Sequence, residues 1–242
     1  MKFLLDFRLC LSFLSRFKTG PHVLDPDFSR TLAWFVPCGL ILGLCLSLPL
    51  WILKDGPPPA ALAWIVVLGE VYLTRGLHWD GWADFWDAVG SNARGERFWE
   101  ILKDSRIGVF GALGIALGIS GEIVLLSAAE AAWTAVVWAM VLGRLAPVLQ
   151  ARMGQGLERP GLGQMFIQKA DRKTVLGSCA GTAIIGALLI GPWGVFVSGA
   201  VLTPALCGLQ ATARRQGGLN GDFLGAGIIS GQLAGYLGAA LI

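Results

Sequence analysis

Charge is scarce in this chain, and that scarcity argues against a soluble protein. Asp, Glu, Lys and Arg make up 14% of the 242 residues, about half the ~25% usual in soluble domains. Apolar residues reach 55%, and the mean hydropathy is +0.64. The net charge of +3 is too small to indicate a nucleic-acid binder by itself. No C-x-x-C pair occurs among Cys10, Cys38, Cys45, Cys179 and Cys207. The cysteines therefore read as packing thiols rather than a zinc site or a disulfide framework. An uninterrupted apolar leader is missing too. Asp6, Arg8 and Arg16 break up the N-terminal stretch, so no cleavable signal peptide is expected.

What the chain does have is long apolar segments and 34 glycines, a composition suited to close helix packing in lipid. A spanning helix needs ~20 apolar residues. Seven segments qualify: 31–53, 59–77, 107–127, 132–150, 174–190, 195–212 and 223–242. The expected fold is all-α, a polytopic membrane bundle of about seven transmembrane helices forming one catalytic domain over residues 1–242. Only Gly191-Pro192-Trp193-Gly194 parts the fifth segment from the sixth, which predicts a tight helical hairpin. Residues 1–20 carry Phe3, Leu4, Phe7, Cys10, Leu11 and Leu14 at helical spacing, as in an amphipathic helix lying in the membrane interface.

The basic residues predict an orientation. Lys2, Arg8, Arg16, Lys18 and Arg30 precede the first segment. Others fall in the loops 94–106, 152–173 and 214–215, whereas the alternate loops hold only Lys54. With seven crossings all four groups share one side, which the positive-inside rule makes cytoplasmic, with the C-terminus outside.

Residues 76–106 form an acidic motif segment. Its start, G-L-H-W-D-G-W-A-D-F-W-D, places Asp80, Asp84 and Asp87 at i, i+4 and i+7. On a helix these fall within about 60° of one another. Like charges so close repel unless a cation joins them, and aligned carboxylates suit a hard divalent ion that leaves positions for phosphate oxygens and water. The bland alternative is an interfacial helix whose acids pair with Arg94, Arg97 and Lys103. Gly81 allows another backbone or a ligand to approach. His78 is open to three readings: ligand, general base or satisfied interfacial histidine.

Three further polar islands stand out. K-D-S-R-I-G-V-F-G, with Lys103, Ser105, Arg106 and Gly108, opens the third apolar segment as a candidate anion site at a helix N-terminus. The loop E-R-P-G-L-G-Q-M-F-I-Q-K carries Arg159 and Lys169, and R-R-Q-G-G-L-N-G-D-F-L-G-A places Asp222 just before the last segment. Arg144, inside an apolar run, is read either as an ion-pair partner of Glu70 or Glu122 or as an anion-binding group.

Taken in order, L-S-F-L-S-R-F, F-S-R…F-V-P-C-G-L-I-L-G, H-W-D-G-W-A-D-F-W-D, I-L-K-D-S-R-I-G-V-F-G, G-L-G-Q-M-F-I and G-G-L-N-G-D-F-L-G-A resemble the cobalamin synthase family of adenosylcobinamide-GDP ribazoletransferases. The match runs over nearly the whole chain. It departs from the family pattern at Lys18, where proline is usual, at Asn220, where threonine is common, and at Ile229 and Gln232, where many members carry glutamate.

The resemblance implies a transferase that joins adenosylcobinamide-GDP to α-ribazole, or its 5′-phosphate, with release of GMP. It implies Mg²⁺ held by Asp80, Asp84 and Asp87, with Asp104 a further ligand. Lys103, Arg106, Arg16 and Arg30 would hold phosphate oxygens, and His78 or a carboxylate such as Asp84 would serve as base. The implied setting is a cell inner membrane with the site facing the cytoplasm and no nucleic acid. A homo-oligomer or a complex with other corrinoid-pathway enzymes is left open. The rival readings are a Mg²⁺-dependent phosphotransferase of the CDP-alcohol type, whose pattern has Arg where Asp84 stands, and a cation-coupled transporter. Transport sites lie near the bilayer midplane, whereas these islands gather at one face.

Overall fold

The computed structural model describes residues 2–18, 28–53 and 56–242. Lys54 and the end of the expected 1–20 helix lie outside the described residues. The elements are α1 (Lys2–Leu14), a 3-10 stretch (Phe28–Trp34), α2 (Phe35–Ile52), α3 (Pro59–Thr74), α4 (Leu77–Gly90) and α5 (Glu96–Leu102). They continue as α6 (Val109–Ala128), α7 (Ala132–Met153), α8 (Leu162–Lys169), α9 (Arg172–Leu189), α10 (Gly191–Arg215) and α11 (Gly221–Ala240). No strand occurs among the described residues. One isolated parallel bridge joins Glu158 to Leu219.

Local chemistry sets several of these boundaries. Proline begins α3, where its missing N–H costs nothing. The Asp171 side chain accepts from the Thr174 amide at 2.6 Å and so caps α9, and Asn220 caps α11 in the same way. Ile190 and Gly191, the latter at φ +69°, turn α9 directly into α10 as the expected hairpin.

Helix α7 is the axis of the bundle. It is buried along nearly its whole length, between α2 and α11. The α7–α11 contact is close because Gly235 lacks a side chain: a Cβ there would stand 2.7 Å from the Ala139 Cα. Outward faces are apolar, with Leu44, Leu48, Leu117, Val124, Leu188 and Phe196 all exposed, as lipid-facing surfaces require.

Seven helices (α2, α3, α6, α7, α9, α10 and α11) occupy the seven expected segments. Five of them are long and apolar enough to cross a membrane: the stretch containing α2, then α6, α7, α10 and α11. The α3 helix joins this set only when its bent continuation α4 is counted with it, and α9 does not meet the criterion. The expected seven crossings therefore reduce to five or six on length and composition. The shortfall lies in α3, which has 16 residues, and in α9, whose first turn carries Arg172 and Lys173.

The N-terminal helix forms as expected. Leu9, Cys10, Leu11 and Leu14 are buried and Phe3 and Leu4 exposed. Asp6 is buried as well, and Arg30 of the 3-10 stretch meets it at 3.3 Å.

Candidate active site

The site is built by a sharp turn. Arg75 and Gly76 both take left-handed backbone angles, φ 61° and 66°, and α4 leaves α3 at 94°. Helix α4 then lies across the end of the bundle, against α11 and α6. Gly81 permits this packing, since a Cβ there would stand 2.9 Å from the Asp222 Cα. The close approach expected of Gly81 is thus to the first turn of α11. It carries Asp222 up to the acidic face of α4. Trp82 and Trp86 of α4 turn onto α6, where Trp82 Nε1 donates to the Gly114 carbonyl at 2.8 Å.

Asp80, Asp84 and Asp87 do not play equal parts. Asp80 and Asp84 line a solvent-open polar cavity of about 490 Å³, together with Arg75, Trp79 and Ser105. The buried Trp79 Nε1 has no hydrogen-bond partner. Burial first, then the charges of Asp80, Asp222 and Asp87, push the Asp84 carboxyl up to about 7. The acids thus repel one another although Arg75 stands on the same cavity wall. Asp87 is occupied elsewhere: its two oxygens accept from the Gly108 and Gly111 amides, each at 2.8 Å. It caps α6 from a neighbouring helix and ties the 103–108 loop to the site, a role that i, i+7 spacing does not reveal.

Among the described residues no three His, Cys, Asp or Glu side chains are grouped so as to hold a metal ion by themselves. Two carboxylates on an open cavity nevertheless fit Mg²⁺, which keeps waters and takes substrate phosphate oxygens as its other ligands. The uncompensated charge at Asp84 fits the same demand.

The second polar island divides as well. Ser105 faces the polar cavity, and Lys103 stands exposed at the end of α5. Arg106 grips Asp104 through two side-chain bonds of 3.0 and 2.7 Å. That contact, with the Arg106 amide, holds the Asp104 carboxyl down at about 2. Gly108 gives its amide to Asp87, so the anion expected at this helix start is met by the protein's own carboxylate.

Three arginines singled out from the sequence are not brought to the acids. Arg16 donates to the Tyr72 carbonyl and lies over the Tyr72 ring at 4.6 Å, pinning the end of α1 to α3. Arg30 lines a separate cavity with Asp6, Lys169 and Asp171. Arg144 is fully buried, away from the cavity of Asp80 and Asp84, and its Nε and Nη2 have no hydrogen-bond partner among the described residues. It shares its surroundings with Glu70, Glu122 and Tyr236, the first two being the partners expected for it. Gln232, standing where glutamate is common, donates to Glu70 at 2.6 Å.

Arg75 is the residue that motif reading missed. It lies inside the second apolar segment, near its end, and belongs to no polar island, so nothing in its spacing marks it. Only the turn brings its guanidinium to the cavity wall, where it also donates to the Phe13 carbonyl at 2.6 Å.

A second cavity, of about 320 Å³, shares Leu77 and Asp80 with the first. It is mostly apolar, walled by Phe13, Phe35 and Phe166, with His78, Asn220 and Asp222 among its polar residues. His78 therefore sits at a second cavity, buried, and its Nε2 has no partner. The basic loops converge on this same end of the bundle. Arg159 stacks on Trp99 at 4.2 Å, and Trp99 Nε1 donates to the Gln216 carbonyl at 2.9 Å.

A family model for cobalamin-5-phosphate synthase matches residues 6–240. A protein of Nitratidesulfovibrio vulgaris (strain Miyazaki F) named adenosylcobinamide-GDP ribazoletransferase is 44% identical over 240 residues, covering 96% of this chain and 94% of that protein. Proteins of the same name are 37% identical in Syntrophobacter fumaroxidans, with 91% and 92% covered, and 32% identical in Escherichia coli (strain K12 / DH10B), with 94% and 96% covered. No solved structure matches the fold. Sequence pattern, helical architecture and near-complete coverage agree, and the chain belongs to the cobalamin-5-phosphate synthase family.

Proposed function

We propose that this protein is an adenosylcobinamide-GDP ribazoletransferase acting at the α4 end of its bundle. The observation that carries the proposal is the polar cavity in which Asp80 and Asp84 face Arg75 and Ser105, beside Asp222. Breaking a pyrophosphate linkage requires positioning and charge neutralisation more than covalent participation by the protein. In this reading a ribose hydroxyl of α-ribazole attacks the cobinamide-linked phosphorus of adenosylcobinamide-GDP. A new P–O bond forms, the bridging P–O bond to GMP breaks with its electron pair, and the hydroxyl proton passes to a carboxylate of the cluster.

Asp80 and Asp84 would hold Mg²⁺, which when bound supplies positive charge to the pyrophosphate oxygens. Arg75 orients the donor's phosphates through its planar donor fork, and Ser105 offers a hydroxyl to them. Asp87 keeps the 103–108 loop in register with α4. Asp104 and Arg106 pair with each other on either side of Ser105. The convergence of basic loops on this end supports a cytoplasmic site in the inner membrane.

The test is GMP release by the purified protein in detergent. GMP is expected only when adenosylcobinamide-GDP, α-ribazole and Mg²⁺ are all present. Absence of release from folded protein, or release indifferent to α-ribazole, would overturn the assignment.

A further inference from the structure

We infer that the apolar cavity walled by Phe13, Phe35 and Phe166 is the pocket for the flat base of α-ribazole, with His78 Nε2 hydrogen-bonded to the base's free ring nitrogen. The inference rests on the transferase reading and assigns one of its two substrates to a place. Its first support is the contrast between the two cavities. One is open and lined by acids, Arg75 and Ser105, suited to a charged pyrophosphate. The other is dominated by aromatic and aliphatic walls, suited to an uncharged ring system. They share Leu77 and Asp80, so a nucleoside whose base fills the apolar cavity turns its ribose toward Asp80 and the donor.

The second support is the polar inventory of the apolar cavity. A guanine or adenine ring carries several hydrogen-bonding groups and would bury most of them unpaired. A benzimidazole joined to ribose has one ring nitrogen left to accept. His78 lines the cavity, and its buried Nε2 has no partner in the protein, so it serves in this assignment as the donor to that nitrogen. Asn220 and Asp222, already bonded to each other at 2.7 Å, stand where ribose hydroxyls would arrive. The base is therefore selected against purines by what the walls lack. A cavity with mostly apolar walls rejects rings that bring unmatched polar groups.

Calorimetry on the full-length protein in detergent tests this, with α-ribazole and adenosine as the probes. α-Ribazole should bind about tenfold or more tightly than adenosine. His78→Phe, which keeps a ring but removes the donor, should weaken α-ribazole binding about tenfold and raise its KM without moving the KM for adenosylcobinamide-GDP. Leu162→Trp, at a half-exposed wall position, fills the cavity with little cost to folding and should produce the same split. Equal binding of the two nucleosides would overturn the inference, as would matched increases in both KM values or no response to either substitution. If α-ribazole binds as expected but wild-type protein releases no GMP, the transferase reading fails and the pocket stands.

Discussion

Two carboxylate clusters sit on neighbouring helices of this molecule and have opposite characters. At the end of the bundle, Asp80 and Asp84 line an open cavity near Asp222, with Arg75 on its wall, and repel one another. Inside the bundle, Glu70 and Glu122 are wholly buried near Arg144, Gln232 and Tyr236. The first is accessible and repulsive, a place for a cation and a phosphate. The second is inaccessible and has a cation, Arg144, among its neighbours, at the place where α3, α6, α7 and α11 meet. Residue type alone does not distinguish a site from a strut; access to solvent does.

The largest effects should separate the two clusters. Asp84→Asn is expected to lower turnover by about a thousandfold while leaving expression and detergent stability intact. Arg144→Met should do the reverse. It strands buried acids without their cation, costing about 3–5 kcal/mol, and should appear as loss of folded protein in size-exclusion profiles. Near-normal turnover in Asp84→Asn would remove the contrast.

Arg75→Ala should raise the KM for adenosylcobinamide-GDP by roughly tenfold to a hundredfold, as loss of a charge-assisted contact predicts, with little change for α-ribazole. Steady-state kinetics with each substrate varied in turn would show whether the guanidinium serves the donor.

A subtler effect follows from Asp84. Its folded carboxyl titrates at about 7, above the ~3.9 of an unfolded aspartate. The folded state thus favours the protonated form. That stability is fully present below about pH 4 and is lost as pH rises to about 7. In metal-free protein the melting temperature should decline across this window more steeply for wild type than for Asp84→Asn. Saturating Mg²⁺ should flatten the difference. A profile identical in both proteins would contradict the repulsion between the acids.

The smallest effect belongs to Asp87. As a cap on α6, its replacement by Ala should cost about 0.5–2 kcal/mol of stability and lower turnover only through the displaced loop. A drop as deep as that of Asp84→Asn would place Asp87 among the metal ligands after all.

Much of the fold was legible in the chain. Apolar segments of sufficient length mark the helices because a bilayer demands internally satisfied backbone, and the Gly-Pro-Trp-Gly break marks the α9–α10 hairpin. The stripe of aspartates on α4 was legible because helical period converts spacing into a shared face. The separate fates of its members were not. That Asp87 caps α6, that Gly108 answers it, and that Arg106 is spent on Asp104 depend on backbone donors and side chains brought in from other elements, which leave no trace in local spacing.

By itself, the sequence determined that this protein is a helical membrane bundle with its polar chemistry gathered in a few short islands, because hydropathy and period are local properties. Only the tertiary structure decided which islands meet. The left-handed turn at Arg75 and Gly76 swings α4 across the bundle end, and Gly81 lets Asp222 approach. Together they create one polar and one apolar cavity that share Asp80. Those contacts join residues far apart in the chain, so their energies appear only once the helices have packed.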